Sequence, residues 1–166
     1  MRLLSLIGAL LALALVACGG TGGAGSPPPV VVGDLGPAPQ FAADRLDGSG
    51  RFDLASYRGR YAVVNLWGSW CDPCRKEAPE LKAFSAAHPE VGMVGIAIDD
   101  QVASALKFAA DAGWTYPLVA GKGREESVRW KFQGVPITIV IDPAGRIVWR
   151  KLGEVTAAEL EQAVAG

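Results

Sequence analysis

The sequence has no surplus of either charge: 16 lysines and arginines stand against 17 aspartates and glutamates over 166 residues. No acidic residue precedes position 18, so loss of that segment with its Arg2 leaves 15 basic and 17 acidic residues, a net charge of about −2. The clustered basic face that nucleic-acid binding requires is absent, and no nucleic-acid partner is expected. No internal repeat is found, which excludes a repeat architecture. The longest apolar run, Leu3 to Val16, is too short to span a bilayer comfortably. Cysteine and histidine are scarce, at three and one. An odd number of cysteines does not make a disulfide framework.

What is present begins with half of all residues hydrophobic, enough for one domain with a sizeable core. Arg2 followed by the apolar run reads as a secretory signal without a stop-transfer flank. An ordinary cleavage site wants small residues at −1 and −3, whereas cutting after Ala17 places Leu15 at −3 and Cys18 at +1. The end of the run, "LVAC", resembles the bacterial lipobox, in which the cysteine is acylated and becomes the mature N-terminus. Residues 1–17 are therefore expected to be a lipoprotein signal peptide, with Cys18 as the lipidation site and the membrane reached through a lipid anchor. Diacylation meets the need for more than one acyl chain in stable attachment. The protein is then extracytoplasmic, periplasmic or on the outer face of the cell membrane.

Residues 19–39 hold seven glycines and five prolines in 21 positions. That composition argues against a packed element, so 18–39 is expected to be the lipidated cysteine and a flexible tether, with a reach of roughly 25 Å. The domain proper is expected over 40–166. It opens with "FAADRLDGSGRFDLASYRG", two short strands joined at "DGSG" and followed by a helical turn. "YAVVNLW" reads as a strand buried on both faces. From Cys74 to about His88, apolar Ala78, Leu81, Phe84 and Ala87 fall at helical spacing; Pro73 suits the first turn and Pro79 is expected to kink the helix. "VGMVGIAI" follows as a strand, then "VASALKFAADAG" as a helix with Asp100 as its N-cap and Gly113 as its stop. "YPLVAG" is a strand, "EESVRWKF" a helix, "PITIVID" and "RIVWRKLG" a hairpin, and "TAAELEQAVAG" a terminal helix opened by a Thr156/Glu159 capping box. Strands alternating with helices predict a layered α/β domain with some parallel pairing, closed by an antiparallel hairpin.

The chemistry is concentrated in "LWGSWCDPCRKEAPEL", residues 66–81. With Cys18 acylated, Cys71, Cys74 and His88 are too few for a four-ligand zinc site, and no metal is expected. Arg75 stands where haem attachment through CxxCH needs histidine, so no cofactor is expected either. A CxxC after a buried strand, behind a tryptophan and at a helix start, points to dithiol redox chemistry. Unsatisfied N–H groups and the helix dipole stabilise a thiolate there, making Cys71 the attacking sulfur and Cys74, one turn in, the resolving one. Arg75 and Lys76 add positive potential, which Asp72 opposes. Trp70 is expected to shield the thiols and form part of the docking surface, whereas Trp67, Trp114, Trp130 and Trp149 are expected to pack. His88 reads as a helix end, and Asp99 and Asp100 as capping residues between a strand and a helix.

"VVNLWGSWCDPCRKEAPEL" resembles the active-site region of the TlpA/ResA-like thiol-disulfide oxidoreductases of the thioredoxin superfamily, membrane-tethered extracytoplasmic proteins. The resemblance runs from about Phe41 to Val164 and includes "VGIAIDD", the following "QVASALKFAADAGWTYPLVA" and "FQGVPITIVIDPAGRIVWRKLGE". It implies a thioredoxin-like fold: a central mixed β-sheet flanked by helices, an N-terminal β-hairpin and a central helix-strand insertion. Asn65 stands where cytosolic thioredoxins have a buried aspartate, and it cannot act as a base. By spacing alone Glu77 reads as a solvated helix residue. The resemblance instead implies a glutamate beyond CxxC that handles the resolving thiol's proton, with a pKa raised by an apolar site. It further implies that Pro136 is the family's cis-proline, whose preceding residue, Val135, offers its backbone to an extended substrate peptide. Many relatives have threonine after this proline, where this chain has Ile137 followed by Thr138.

The activity implied is reduction of protein disulfides, with apocytochrome c cysteines as a substrate, electrons from a membrane thiol donor of DsbD/CcdA type, and a monomeric protein. Three other functions compete: a disulfide-forming oxidase, a non-redox peptide-binding or chaperone module, and a peroxiredoxin. The last is disfavoured because the thiols form a tryptophan-flanked CxxC rather than a lone cysteine.

Overall fold

The computed structural model describes residues 30–166; the expected signal peptide, Cys18 and the start of the expected tether lie outside them. The strands are β1 (Val30–Val32), β2 (Ala42–Asp44), β3 (Arg51–Asp53), β4 (Ala62–Trp67), β5 (Gly92–Ile98), β6 (Leu118–Gly121), β7 (Ile137–Ile141) and β8 (Ile147–Leu152). The helices are α1 (Asp72–Ala87), α2 (Val102–Ala112), α3 (Gly123–Trp130) and α4 (Ala157–Val164), with a 3-10 turn at Leu54–Tyr57. Six strands form one mixed sheet in the order β1-β8-β7-β4-β5-β6, while β2 and β3 make the separate hairpin that opens the domain. β4, β5 and β6 run parallel; β7 is antiparallel to β4, and β8 to β7. The expected mixed α/β architecture is present, with α2 and β6 as the helix-strand insertion.

Period-2 alternation divides the strands between two cores. Val63 and Trp67 of β4, Met93 and Ala97 of β5 and Val140 of β7 pack with Leu81 and Phe84 of α1, Phe108 of α2 and Leu160 of α4. Their neighbours Val64, Leu66, Val94, Ile96, Ile137 and Ile139 face the opposite side, against Phe41, Phe52 and Trp130. Both faces of β4, β5 and β7 are therefore covered, which is why these strands read as continuous apolar runs. Each fully buried large side chain contributes about 1.5–3 kcal/mol of transfer free energy.

Three local expectations change. Val30–Val32, assigned by composition to the tether, pair antiparallel with Lys151–Trp149 of β8; valine favours extended backbone, and β8 otherwise offers an open edge. α1, with Pro79 inside it, does not bury the whole face that the apolar spacing picks out. Its buried face is Cys74, Glu77, Ala78, Leu81 and Phe84, and Ala87 is exposed. Asp100 does not cap α2, whose N-cap is Gln101 with no side-chain hydrogen bond. Gly113 ends α2 in the left-handed conformation, and the Thr156/Glu159 capping box opens α4, both as expected.

Candidate active site

β4 ends at Trp67, and Gly68, Ser69 and Trp70 carry the chain to Cys71, the N-cap of α1. The Cys71 sulfur accepts the backbone N–H of Cys74 at 3.2 Å, and the two sulfurs are bonded to each other. Cys71 retains 4 % of its surface and Cys74 none, so the first cysteine is the less buried of the two. The helix-start geometry read from the sequence is therefore present: a sulfur at the positive end of α1, receiving one of its free N–H groups.

Glu77 follows one turn later on the buried face, with 1 % of its surface exposed. Its Oε1 accepts the Asn65 amide at 2.9 Å and its Oε2 the backbone N–H of Val155 at 3.1 Å. Burial raises its pKa from the ordinary 4.5 to about 7; the hydrogen bonds from Asn65 and Val155 oppose that rise, Glu154 adds to it and Lys151 reduces it. The solvated reading of this residue does not hold. Tyr116, buried in the same core, has its hydroxyl pKa pushed well above the usual value by desolvation and then by the charge of Glu77.

The partners of Glu77 come from sheet register. Asn65 lies opposite Thr138 of β7, and Thr138 opposite Lys151 of β8. The second amide hydrogen of Asn65 goes to the Thr138 hydroxyl at 3.1 Å. Lys151, 8 % exposed, donates from Nζ to Glu159 of the α4 capping box. A polar row thus crosses three strands on their α1 side, roofed by Glu77. Its members were not foreseen as a group, although Asn65 and Thr138 are lone polar residues in otherwise apolar strands, a signal the sequence carries. Ile137 faces the opposite core, so of these two β7 residues it is Thr138 that turns to this side.

On the surface above the disulfide, Trp70 is 57 % exposed and donates its indole N–H to the Ile98 carbonyl at 3.1 Å. The Val135–Pro136 peptide is cis. Trp70, Ile98, Gly123, Ser127, Phe132, Gln133, Gly134 and Val135 line one hollow of about 480 Å³, so Trp70 and Val135 share a surface. Trp67, Trp114, Trp130 and Trp149 are buried packing residues, and His88 is the C-cap of α1, its ring against Phe84. Arg75 pairs with Asp72 at 3.8 Å and Lys76 with Glu154 at 3.6 Å, both exposed pairs of small energetic value. Asp99, at φ 45°, accepts the N–H of Gly123 and so caps α3 rather than its own helix.

The chain is similar to known proteins along most of its length. The AhpC/TSA family profile matches residues 35–150. The thiol-disulfide oxidoreductase ResA of Bacillus thuringiensis is 32% identical over 126 residues, 75% of this chain and 72% of that protein. The thiol:disulfide interchange protein HelX of Rhodobacter capsulatus is 36% identical over 121 residues, 72% and 68% of the two chains. Among solved structures, a DsbF homologue from Corynebacterium diphtheriae superposes with a TM-score of 0.74 at 29% identity, covering 82% of this chain and 91% of that one. A secreted Mycobacterium tuberculosis disulfide oxidoreductase homologous to E. coli DsbE gives 0.69 at 29% identity, over 76% and 95%. With its CxxC disulfide at the start of α1 and the mixed sheet beneath it, the chain belongs to the AhpC/TSA family and is a thioredoxin-like thiol-disulfide oxidoreductase of the ResA kind.

Proposed function

We propose that the protein is a lipid-anchored, extracytoplasmic reductase of protein disulfides, working through Cys71, Cys74 and Glu77. The observation that carries this reading is a carboxyl buried one turn below the cysteine pair with a pKa near 7, ready to exchange a proton at neutral pH.

In the reduced protein the Cys71 thiolate attacks one sulfur of a substrate disulfide. A Cys71–substrate disulfide forms, the substrate S–S bond breaks, and one substrate thiolate leaves. Cys74 then passes its thiol proton to the Glu77 carboxylate and attacks the Cys71 sulfur. The mixed disulfide breaks, the second substrate thiolate leaves, and the Cys71–Cys74 disulfide remains. Two electrons have moved to the substrate, whose thiolates take up protons from solvent and from Glu77. The backbone at Val135, beside Pro136 with its missing N–H, pairs with an extended substrate segment, and Trp70 flanks it.

The ResA-like resemblance supports apocytochrome c cysteines as the substrate and a membrane thiol donor of DsbD/CcdA type as the source of electrons. "LVAC" supports acylation of Cys18 as the anchor. The test is trapping: Cys74→Ser protein should accumulate a mixed disulfide with a peptide bearing an oxidised Cys-x-x-Cys-His, and Cys71→Ser protein should not. Trapping by neither variant would refute the assignment of Cys71. Mass spectrometry of the mature N-terminus checks the anchor, which fails if Cys18 is absent or unmodified.

A further inference from the structure

Ser69 lies two residues before Cys71, in the turn that carries β4 into α1, and all of its polar groups are engaged. Its backbone N–H donates to Asp100 Oδ2, its hydroxyl donates to Asp100 Oδ1 at 2.7 Å, and its carbonyl accepts from the Arg75 guanidinium. Asp100 comes from the loop after β5 and Arg75 from the first turn of α1, so this one serine is held from two separate elements. Arg75 is itself steadied over the Phe108 ring, 5.4 Å from its centroid.

The next residue, Trp70, is fixed to the same strand end by its bond to the Ile98 carbonyl. Its ring lies over Gly68, where an added Cβ would come within 2.6 Å of the indole. Glycine at 68 is what lets the indole fold back. Cys71 donates its N–H to the Gly68 carbonyl at 3.1 Å, so the turn that carries the indole also positions the reactive sulfur. Cys71 keeps only 4 % of its surface beside this turn.

We propose that Asp100, through Ser69, is a positioning residue of the redox centre. It holds the Gly68–Trp70 turn as a cover beside Cys71, favouring disulfides presented on a peptide along Val135 over small soluble thiols and disulfides. Charge-assisted hydrogen bonds to a carboxylate are stronger than neutral ones, and Asp100 makes two of them to one residue. Without them the turn keeps the Arg75 bond to Ser69, the indole bond to Ile98 and the Cys71 N–H bond to Gly68, none of them to a carboxylate. The sulfur gains exposure while its alignment with a docked peptide is lost.

This inference rests on Cys71 being the attacking sulfur. Its test compares intact wild-type protein with Asp100→Ala, Asp100→Asn and Ser69→Ala in two reactions: reduction of the Cys71–Cys74 disulfide by dithiothreitol, and reduction of insulin disulfides by the reduced protein. Asp100→Ala should speed the first by about tenfold and slow the second by about tenfold, the factor that accompanies loss of a charge-assisted hydrogen bond. Asp100→Asn, whose amide still accepts the Ser69 N–H but without the charge, should give rates between those of wild type and Asp100→Ala. Ser69→Ala, which removes one arm, should move both rates in the same directions by less, and it serves if Asp100→Ala does not fold. Rates that fall together, no gain with dithiothreitol, or an Asp100→Asn protein that behaves like Asp100→Ala would each overturn the proposal. Wild type inert to insulin, with the dithiothreitol gain and its partial rescue intact, would count against the reductase reading and uphold the clasp.

Discussion

Asn65 donates one amide hydrogen to Glu77 at 2.9 Å and the other to Thr138 at 3.1 Å, and both contacts lie in the buried layer between the sheet and α1. The amide that replaces the aspartate of cytosolic thioredoxins is thus not an empty substitution. It holds the acid that stands one turn beyond the cysteine pair.

Glu77 makes stability depend on pH in the direction opposite to an ordinary paired carboxylate. Its folded pKa, about 7, lies above its ordinary value of 4.5, so the folded state binds the proton more tightly than the unfolded chain. Stability contributed by the neutral acid is fully present below about pH 4.5 and is lost as pH rises toward 7, amounting to about 3 kcal/mol. Glu77→Gln should remove this dependence. Melting temperatures of the two proteins should diverge in favour of the variant between pH 4.5 and 7 and run parallel above; a constant difference across that range would contradict the buried titration.

The same variant separates the two chemical steps. If Glu77 accepts the Cys74 proton, Glu77→Gln should leave attack by Cys71 on a substrate disulfide nearly unchanged. It should slow resolution of the mixed disulfide by about 10²-fold or more, the lower end of general-base effects. Rapid quenching at low pH, followed by separation of the mixed disulfide from the free protein, reads both steps; equal slowing of the two would place Glu77 elsewhere in the mechanism.

Asn65→Ala removes the donor to Glu77 Oε1 and to the Thr138 hydroxyl. Since the Asn65 bond lowers the pKa of Glu77, its loss should move that pKa above 7 and cost about 1–3 kcal/mol for the unsatisfied buried groups. Carboxyl titration by NMR and denaturant unfolding check the two parts. A pKa that falls would mean that the amide does not hold the charged form.

Gly95 lies opposite Asn65 on β5, beneath Trp67. A Cβ there would come within 2.7 Å of Leu118 Cδ2 and 2.9 Å of the Trp67 indole nitrogen, with neighbours packed on both sides. Gly95→Ala should therefore destabilise by about 1–3 kcal/mol, the usual cost of overpacking, measured by urea unfolding. An unchanged midpoint would show that Trp67 can move aside.

The sheet was legible because β4, β5 and β7 are apolar on both faces, and the cysteine pair because CxxC stood between such a strand and a helix start. Three features were not. The polar row of Asn65, Thr138 and Lys151 depends on the register of three strands distant in sequence, and no local pattern sets that register. Asp100 looked like a cap by adjacency to α2, yet two donors on Ser69, 31 residues earlier, claim both its oxygens. Val30–Val32 became a strand because β8 had an edge to offer, a fact of topology that the surrounding glycines and prolines concealed.

The reduction potential of the Cys71/Cys74 pair tests the reductase reading most directly. Purified protein equilibrated against glutathione and dithiothreitol buffers, with the thiol and disulfide forms counted by alkylation and mass spectrometry, gives the value. A potential at or below about −250 mV, toward the thioredoxin end of the scale, is the predicted result; one near about −120 mV would mark a disulfide-forming oxidant and contradict the account.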